Sequence, residues 1–286
     1  GDLGLVAEHR GETVTLADGS ASGARAGIGI ALALNVVNDS TTATTRRDLT
    51  VGGNAEFVAH NASASDAQAK ASAAGAEGET GGTPSDGVDQ QVGSQRSLAD
   101  SKASESGTTG TGTSTTPKAE TSQGGISVAA AIGVNISSSK AQAYIPDNGR
   151  VTAGGVLRLS ASNNTDATTK GDGSATTTGT GTGIGVGVGV ALTVVHSVNE
   201  ASIGDHAQVA AGSLALEAGM TDVHGDKVQN FSAEAVSGAS GGNIGVAGSV
   251  AINVADAKSR AEIKSGATVT LSGGSGDVSL ATESTT

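Results

Sequence analysis

Five histidines, His9, His60, His196, His206 and His224, are the imidazoles available for chemistry in this chain, and it has no cysteine. None stands in a His-Glu-x-x-His arrangement or near a second histidine at short spacing, so the i, i+4 pairing that puts two imidazoles on one zinc is missing. His196 and His206 flank one turn region and could approach each other, although exposed polar side chains are the simpler reading. Carboxylates at Asp205, Asp256 and Asp277 could hold calcium at loops, since a hard cation needs only a few oxygens. They define no ligand set, so no cofactor is expected beyond such loop-bound calcium.

Three glycine strings resemble functional motifs without their context. Gly273-Gly274-Ser275-Gly276-Asp277 resembles the calcium-binding nonapeptide of β-rolls, but it does not recur, which favours a turn. The series Gly181 to Gly189 lacks a following Gly-Lys-Ser/Thr and helix, and it reads as a strand rather than a phosphate loop. Gly238-Ala239-Ser240-Gly241-Gly242 fits the Gly-x-Ser-x-Gly string of a nucleophile elbow, yet a strand is expected after it. Threonines alternate at Thr176, Thr178, Thr180 and Thr182 and again from Thr109 to Thr115, the kind of array that organises water on ice-binding solenoids; solvated strand faces are the default reading. Asn-x-Ser/Thr triplets such as Asn38-Asp39-Ser40 and Asn230-Phe231-Ser232 are expected by chance in so Ser/Thr-rich a chain. No catalytic, cofactor-binding or metal-binding residue is assigned.

Composition limits the scaffold. Among 286 residues there are 45 Gly, 3 Pro and only Phe57, Tyr144 and Phe231 as aromatics. Any core must therefore be thin and filled by Val, Ile, Leu and Ala. The 36% hydrophobic fraction argues against wholesale disorder. A net charge of −12 without a basic cluster disfavours nucleic acid and anionic membrane surfaces as partners. The longest apolar stretch, Ile184 to Val195, is too short for a helical membrane span. No signal-peptide-like series opens the chain, which begins and ends inside a repeat and so reads as a fragment.

That repeat is the strongest signal. Ile28 to Val51, Val128 to Val151, Val186 to Val209 and Val246 to Val269 align without gaps, with columns Asn35/Asn135/Thr193/Asn253, Ala43/Ala143/Ala201/Ala261 and Val51/Val151/Val209/Val269. A further block, Gly53 to Ala59, recurs at Gly155 to Ala161, Gly212 to Ala218 and Gly276 to Thr282, and also at Gly1 to Ala7. The period is near 60 residues. The expected organisation is one repeat-built segment over 1–286: the end of a preceding repeat (1–22), repeat 1 (23–75), a low-complexity insertion (76–121), repeat 2 (122–180), repeat 3 (181–240) and a truncated repeat 4 (241–286). Gly171 to Thr182 reads as a milder loop of the same kind as the insertion.

Within each copy odd and even positions separate. Ile184, Val186, Val188, Val190 and Leu192 alternate with Gly185, Gly187, Gly189 and Ala191, the period of two that marks a strand. Stacked copies would form an all-β β-solenoid, with the Val/Ile/Leu columns as a continuous aliphatic core and the Gly/Ala face closely approached by another backbone layer. Asp147-Asn148-Gly149, Gly204-Asp205 and Ser265-Gly266 are turn signals at matching places.

The strings Val250-Ala251-Ile252-Asn253, Ala261-Glu262-Ile263, Ala267-Thr268-Val269 and Gly276-Asp277-Val278-Ser279-Leu280 resemble repeats of very large bacterial surface proteins, the filamentous-haemagglutinin-like and leukotoxin-like filamentous adhesins. The resemblance covers nearly the whole chain apart from the insertion. It implies export to the bacterial surface and a filamentous stalk, and it carries over no site residue. The expected function is accordingly a non-catalytic, structural or adhesive segment whose partners are neighbouring repeats, other copies of itself or a cell-surface ligand. The rivals are a self-assembling extracellular fibre, a carbohydrate-active β-helix enzyme and an ice-binding solenoid.

Overall fold

The computed structural model describes residues 1–23, 26–75, 125–177, 183–240, 243–272 and 276–286. They form an all-β chain of parallel strands stacked in three sheets, a solenoid-like architecture. The insertion at 76–121 and the threonines Thr109–Thr115 and Thr178–Thr182 lie outside the described residues.

Each coil visits the three sheets in turn. Sheet B stacks β2 (Ala26–Thr44), β5 (Ile126–Ile145), β8 (Ile184–Ile203) and β12 (Ile244–Ile263). Sheet C is a narrow wall of β3 (Leu49–Val51), β6 (Arg150–Ala153), β9 (Gln208–Ala211) and β13 (Thr268–Leu271). Sheet A stacks β1 (Leu3–Gly23), β4 (Ala55–Gly75), β7 (Val156–Thr177), β10 (Ser213–Met220) and β14 (Val278–Thr282), with β11 (Phe231–Ser240) pairing the far half of β7. The strands of sheets A and B face each other over most of their length, and sheet C closes one end.

The register follows the sequence columns almost throughout. Ile28 pairs with Val128, Val128 with Val186, and Val186 with Val246, while Leu3, Ala55, Leu157, Leu214 and Val278 form another row. One column is two residues out: Leu49, not Val51, pairs with Val151. The first coil turns its corner through Thr45 to Asp48 and reaches Leu49 six residues after Ala43, whereas Val151 comes eight after Ala143. The other corners are stacked four-residue turns closed by Gly149 N–H to Pro146 O (3.0 Å), Ala207 N–H to Gly204 O (3.3 Å) and Ala267 N–H to Lys264 O (3.3 Å). Their third positions, Asn148, His206 and Gly266, sit at φ 59°, 57° and 70°, the left-handed conformation that such turns demand there. Gly171 to Thr177, expected in a loop, instead completes β7.

Between sheets A and B the interior changes character along the strands. Beside sheet C it is thick and aliphatic: Phe57, Leu157, Leu159, Leu214, Leu216, Ile145, Ile203 and Val151 are fully buried. In the middle a seam of amides and hydroxyls crosses from sheet to sheet. At the far end the interior thins to Ala and Gly.

The thin end reverses an expectation. The Val/Ile/Leu columns of sheet B do not form the core; they face outward, and the alternating Gly, Ala and Ser residues face in. The cause lies in the opposing strands. Ala67, Ala69, Ala71 and Ala73 on β4 are buried and alternate with Gln68, Lys70 and Ser72 facing solvent, so sheet A offers only methyl groups inward. Small residues facing small residues let the backbones touch. A Cβ at Gly173 would lie 1.9 Å from the Val188 carbonyl oxygen, one at Gly29 would lie 2.2 Å from that of Ser72, and one at Gly187 would lie 2.1 Å from that of Gly238. Ordinary face-to-face sheets keep about 10 Å between them.

Gly173→Ala should therefore force the layers apart and destabilise by about 3 kcal/mol, at the upper end of overpacking costs. Gly219→Ala, on the outer side of β10 where an added Cβ meets nothing within 4 Å, should be neutral or slightly stabilising. Paired chemical melts followed by circular dichroism decide this; equal destabilisation by both would refute backbone contact.

Candidate functional surface

The residues singled out for chemistry do not converge. His196 projects from β8 and pairs with Asp256 on β12 (Nδ1–Oδ2 3.1 Å), which also binds Lys258 at 2.6 Å. The hydrogen bond from Lys258 holds the Asp256 carboxyl below its ordinary range. His206 lies in the turn beyond β8, after seven further strand residues, roughly 23 Å away at strand rise. The two imidazoles share no site. Asp205 sits in the same row of turns, where its backbone N–H donates to Asp147 Oδ1 (2.8 Å), and Asp277 N–H donates to Ser213 Oγ (3.3 Å). Among the described residues no group of three His, Asp or Glu side chains could hold a metal ion. Gly238 to Ser240 end β11 and the next strand starts at Ile244, while Gly241 and Gly242 of the Gly-x-Ser-x-Gly string lie outside the described residues.

His9 belongs to the interior seam. It pairs with Asp39 across the sheets (3.2 Å), and the same two rows carry Asn61 with Ser139 and Asn163 with Ser197 in the next coils. Asn61 Nδ2 donates to Ser139 Oγ (2.6 Å) and to Asn163 Oδ1 (3.1 Å), and Asn163 Nδ2 donates to Ser197 Oγ (2.9 Å). The column Asn35/Asn135/Thr193/Asn253 reaches the opposite backbone: Asn35 Nδ2 donates to Thr13 O, Asn135 Nδ2 to Ser65 O and Thr168 O, Thr193 Oγ1 to Ser232 O, and Asn253 Nδ2 to Phe231 O. These polar side chains, buried at Asn35, Asn135 and Thr193 and exposed at Asn253, staple the two sheets, and their partners account for the polarity of that column in all four copies. His60 Nδ1 lies 2.6 Å from Ser162 Oγ on the outer side of sheet A.

The coil-to-coil ion pairs are structural in geometry. Arg158 bridges Glu56 (3.0 Å) and Glu217 (2.6 Å), and its pKa is raised chiefly by the Glu217 hydrogen bond. Burial pushes the Glu200 carboxyl up, but hydrogen bonds from Lys264 (3.0 Å), Gln142 (2.9 Å) and Ser202 (2.9 Å) outweigh it and leave the pKa below the usual glutamate value.

One excursion had no counterpart in the sequence reading. Ten residues, 221–230, stand opposite only three, 164–166, between Met220 paired with Asn163 and Phe231 paired with Ala167. The protrusion turns at His224 and Gly225, at φ 54° and 91°, and is held by Asn164 Nδ2 donating to Thr221 O and Asp226 O. Asp222-Val223-His224-Gly225-Asp226 was the available signal, a polar turn string that breaks an alternating strand.

The two outer faces differ. Sheet A shows solvent Glu56, Arg158, Gln68, Lys70 and Lys170. Sheet B shows it aliphatic side chains: positions 28 to 36 of β2 and their partners on β5, β8 and β12 fill a grid of five columns and four strands with Val, Ile and Leu, interrupted only by Ala130 and Gly248. Ile30 is 67% exposed and Leu34 54% on an outer strand, and Ile132 and Val188 on the two inner strands are each 38% exposed.

Because Glu200 has a lower pKa folded than unfolded, it stabilises the fold above the unfolded value, and that contribution disappears as pH falls through the folded one. Lys264, raised chiefly by its hydrogen bond to Glu200, contributes fully below its unfolded pKa and loses its share only at strongly alkaline pH. Glu200→Gln should thus cost about 1 kcal/mol at neutral pH and almost nothing near pH 3. Melting temperatures of both proteins from pH 3 to 8 test it; a constant offset across that range would exclude the ionised pair as the cause. Compared with known proteins, the chain matches no family model, no curated protein and no solved structure.

Proposed function

We propose that this chain is a non-catalytic segment of an extracellular bacterial adhesin, in which each copy of about 60 residues forms one coil of a β-solenoid stalk and residues 76–121 are an insertion between two coils. The observation that carries this reading is the parallel ladder that runs in register from β2 through β12 and from β1 through β14. A ladder of identical coils can be lengthened copy by copy without redesigning any one of them. The interior, with backbone contact through glycine at one end and an amide seam in the middle, favours a structural role.

The coil geometry makes the stalk a blade. A coil adds about 4.8 Å along the stack, while its 20-residue strands span roughly 66 Å across it. A four-coil piece is therefore wider than tall, and its long dimension lies along the strands.

Small-angle scattering of this chain should give a largest dimension of at least about 70 Å, against about 50 Å for a compact globule of this length. Antibodies raised against the chain should label intact cells of its source organism. A globular scattering profile, or labelling only after permeabilisation, would overturn the assignment. Release of sugars from polysaccharides by the purified chain would do the same.

A further inference from the structure

The aliphatic grid on sheet B is unlike the rest of the surface. Monomeric proteins rarely expose contiguous apolar patches above a few hundred Å². Five alternate positions along a strand cover roughly 33 Å and four strands roughly 19 Å, so the grid measures roughly 600 Å². Its exposure does not depend on the outer coils, since the inner strands β5 and β8 show it too. Nor does the fold require it, because sheet A turns a mostly polar and charged face outward from the same coils, with exposed aliphatic residues at Val6, Val14 and Leu16 of its outer strand β1.

We infer that this face joins two copies of the chain, sheet B against sheet B. Two grids together bury roughly 1,200 Å², the lower limit of a standard stable interface. The grid carries no charge, so pairing leaves no ion desolvated despite the net charge of −12. A grid of aliphatic side chains interrupted only at Ala130 and Gly248 can meet its own copy under a two-fold axis. Lys140, His196, Asp256 and Lys258 lie just beyond its last column and make a polar rim. The chain's own insertion is the wrong cover: residues 76–121 contain only Val88, Val92 and Leu98 as large aliphatic residues. A lipid surface is also the wrong partner, because the rim mixes both signs and the chain is acidic. This inference stands independently of the extracellular assignment, since it concerns one face of the coil and not where the protein works.

Sedimentation analysis of the full chain at micromolar concentration tests it. The expected species is a dimer of the 27.3 kDa chain. Val190→Asp with Ile132→Asp, both on outward side chains, should leave the circular dichroism spectrum unchanged and weaken the dimer at least 100-fold. The absence of native cysteine allows a second measurement that barely perturbs the fold. Val190→Cys should form a disulfide-linked dimer on mild oxidation, and Lys70→Cys on sheet A should not. A wild-type monomer at 100 micromolar, a dimer that survives both aspartates in a folded chain, or equal crosslinking from the two cysteines would overturn it. The last two outcomes would also point to association through strand edges.

Discussion

Contact between two backbones, without side chains to separate them, is the constraint on which this architecture rests. Where β7 and β8 meet through Gly171, Gly173, Gly187 and Gly189, carbonyl oxygens occupy the space a methyl group would need. Glycine in a strand interior sacrifices about 0.5–1 kcal/mol per residue in chain entropy. Recovering that loss through dispersion requires dense contact, which in turn requires the two sheets to stay in step over their whole length. Everything else in the coil serves that alignment.

Two devices hold it. Parallel ladders in all three sheets fix the coils along the stack, since a one-residue slip would turn the inward face of a strand outward. Across the stack, the Asn35/Asn135/Thr193/Asn253 column reaches backbone carbonyls of the facing sheet, and the Asn61–Ser139–Asn163–Ser197 run links coil to coil. An apolar seam would tolerate sliding, whereas a buried amide that loses its partner incurs the full desolvation penalty. The thick end beside sheet C, with Phe57 and four leucines, supplies the ordinary hydrophobic burial. The cross-section is thus a wedge: aliphatic and wide at the corner, amide-stapled in the middle, and bare backbone at the tip.

The wedge explains the surface. A strand has two faces, and when the tip excludes large side chains from the inside, the β-branched residues that favour a strand can only sit outside. On sheet A that outer face is mostly polar and charged and the strand interior relies on alanine; on sheet B it is aliphatic. The aliphatic grid therefore occupies positions where the fold would accept polar residues, and the proposed pairing of two copies rests on that observation.

The all-β class, the stacking of equivalent positions and the pairing partners along sheet B and the first stretch of sheet A were legible in the residues alone, because period-two alternation and recurrence at fixed spacing are local properties of the chain; the long second halves of β1, β4 and β7 and the pairing of β11 with β7 were not. The sequence also marked the turns at Asn148 and Gly266 by residue type. It misjudged the corner at Leu49, where two missing residues shift a column that gap-free alignment kept, and it did not single out the excursion at 221–230. Which face of sheet B points inward was decided only in three dimensions. Alternation separates Val190 and Leu192 from Gly189 and Ala191 but assigns neither set to the core. That choice belongs to the opposing strands, such as β7, whose Gly171 lies 18 residues before Gly189, where the inward alanines and glycines of sheet A leave room for nothing larger than a methyl group.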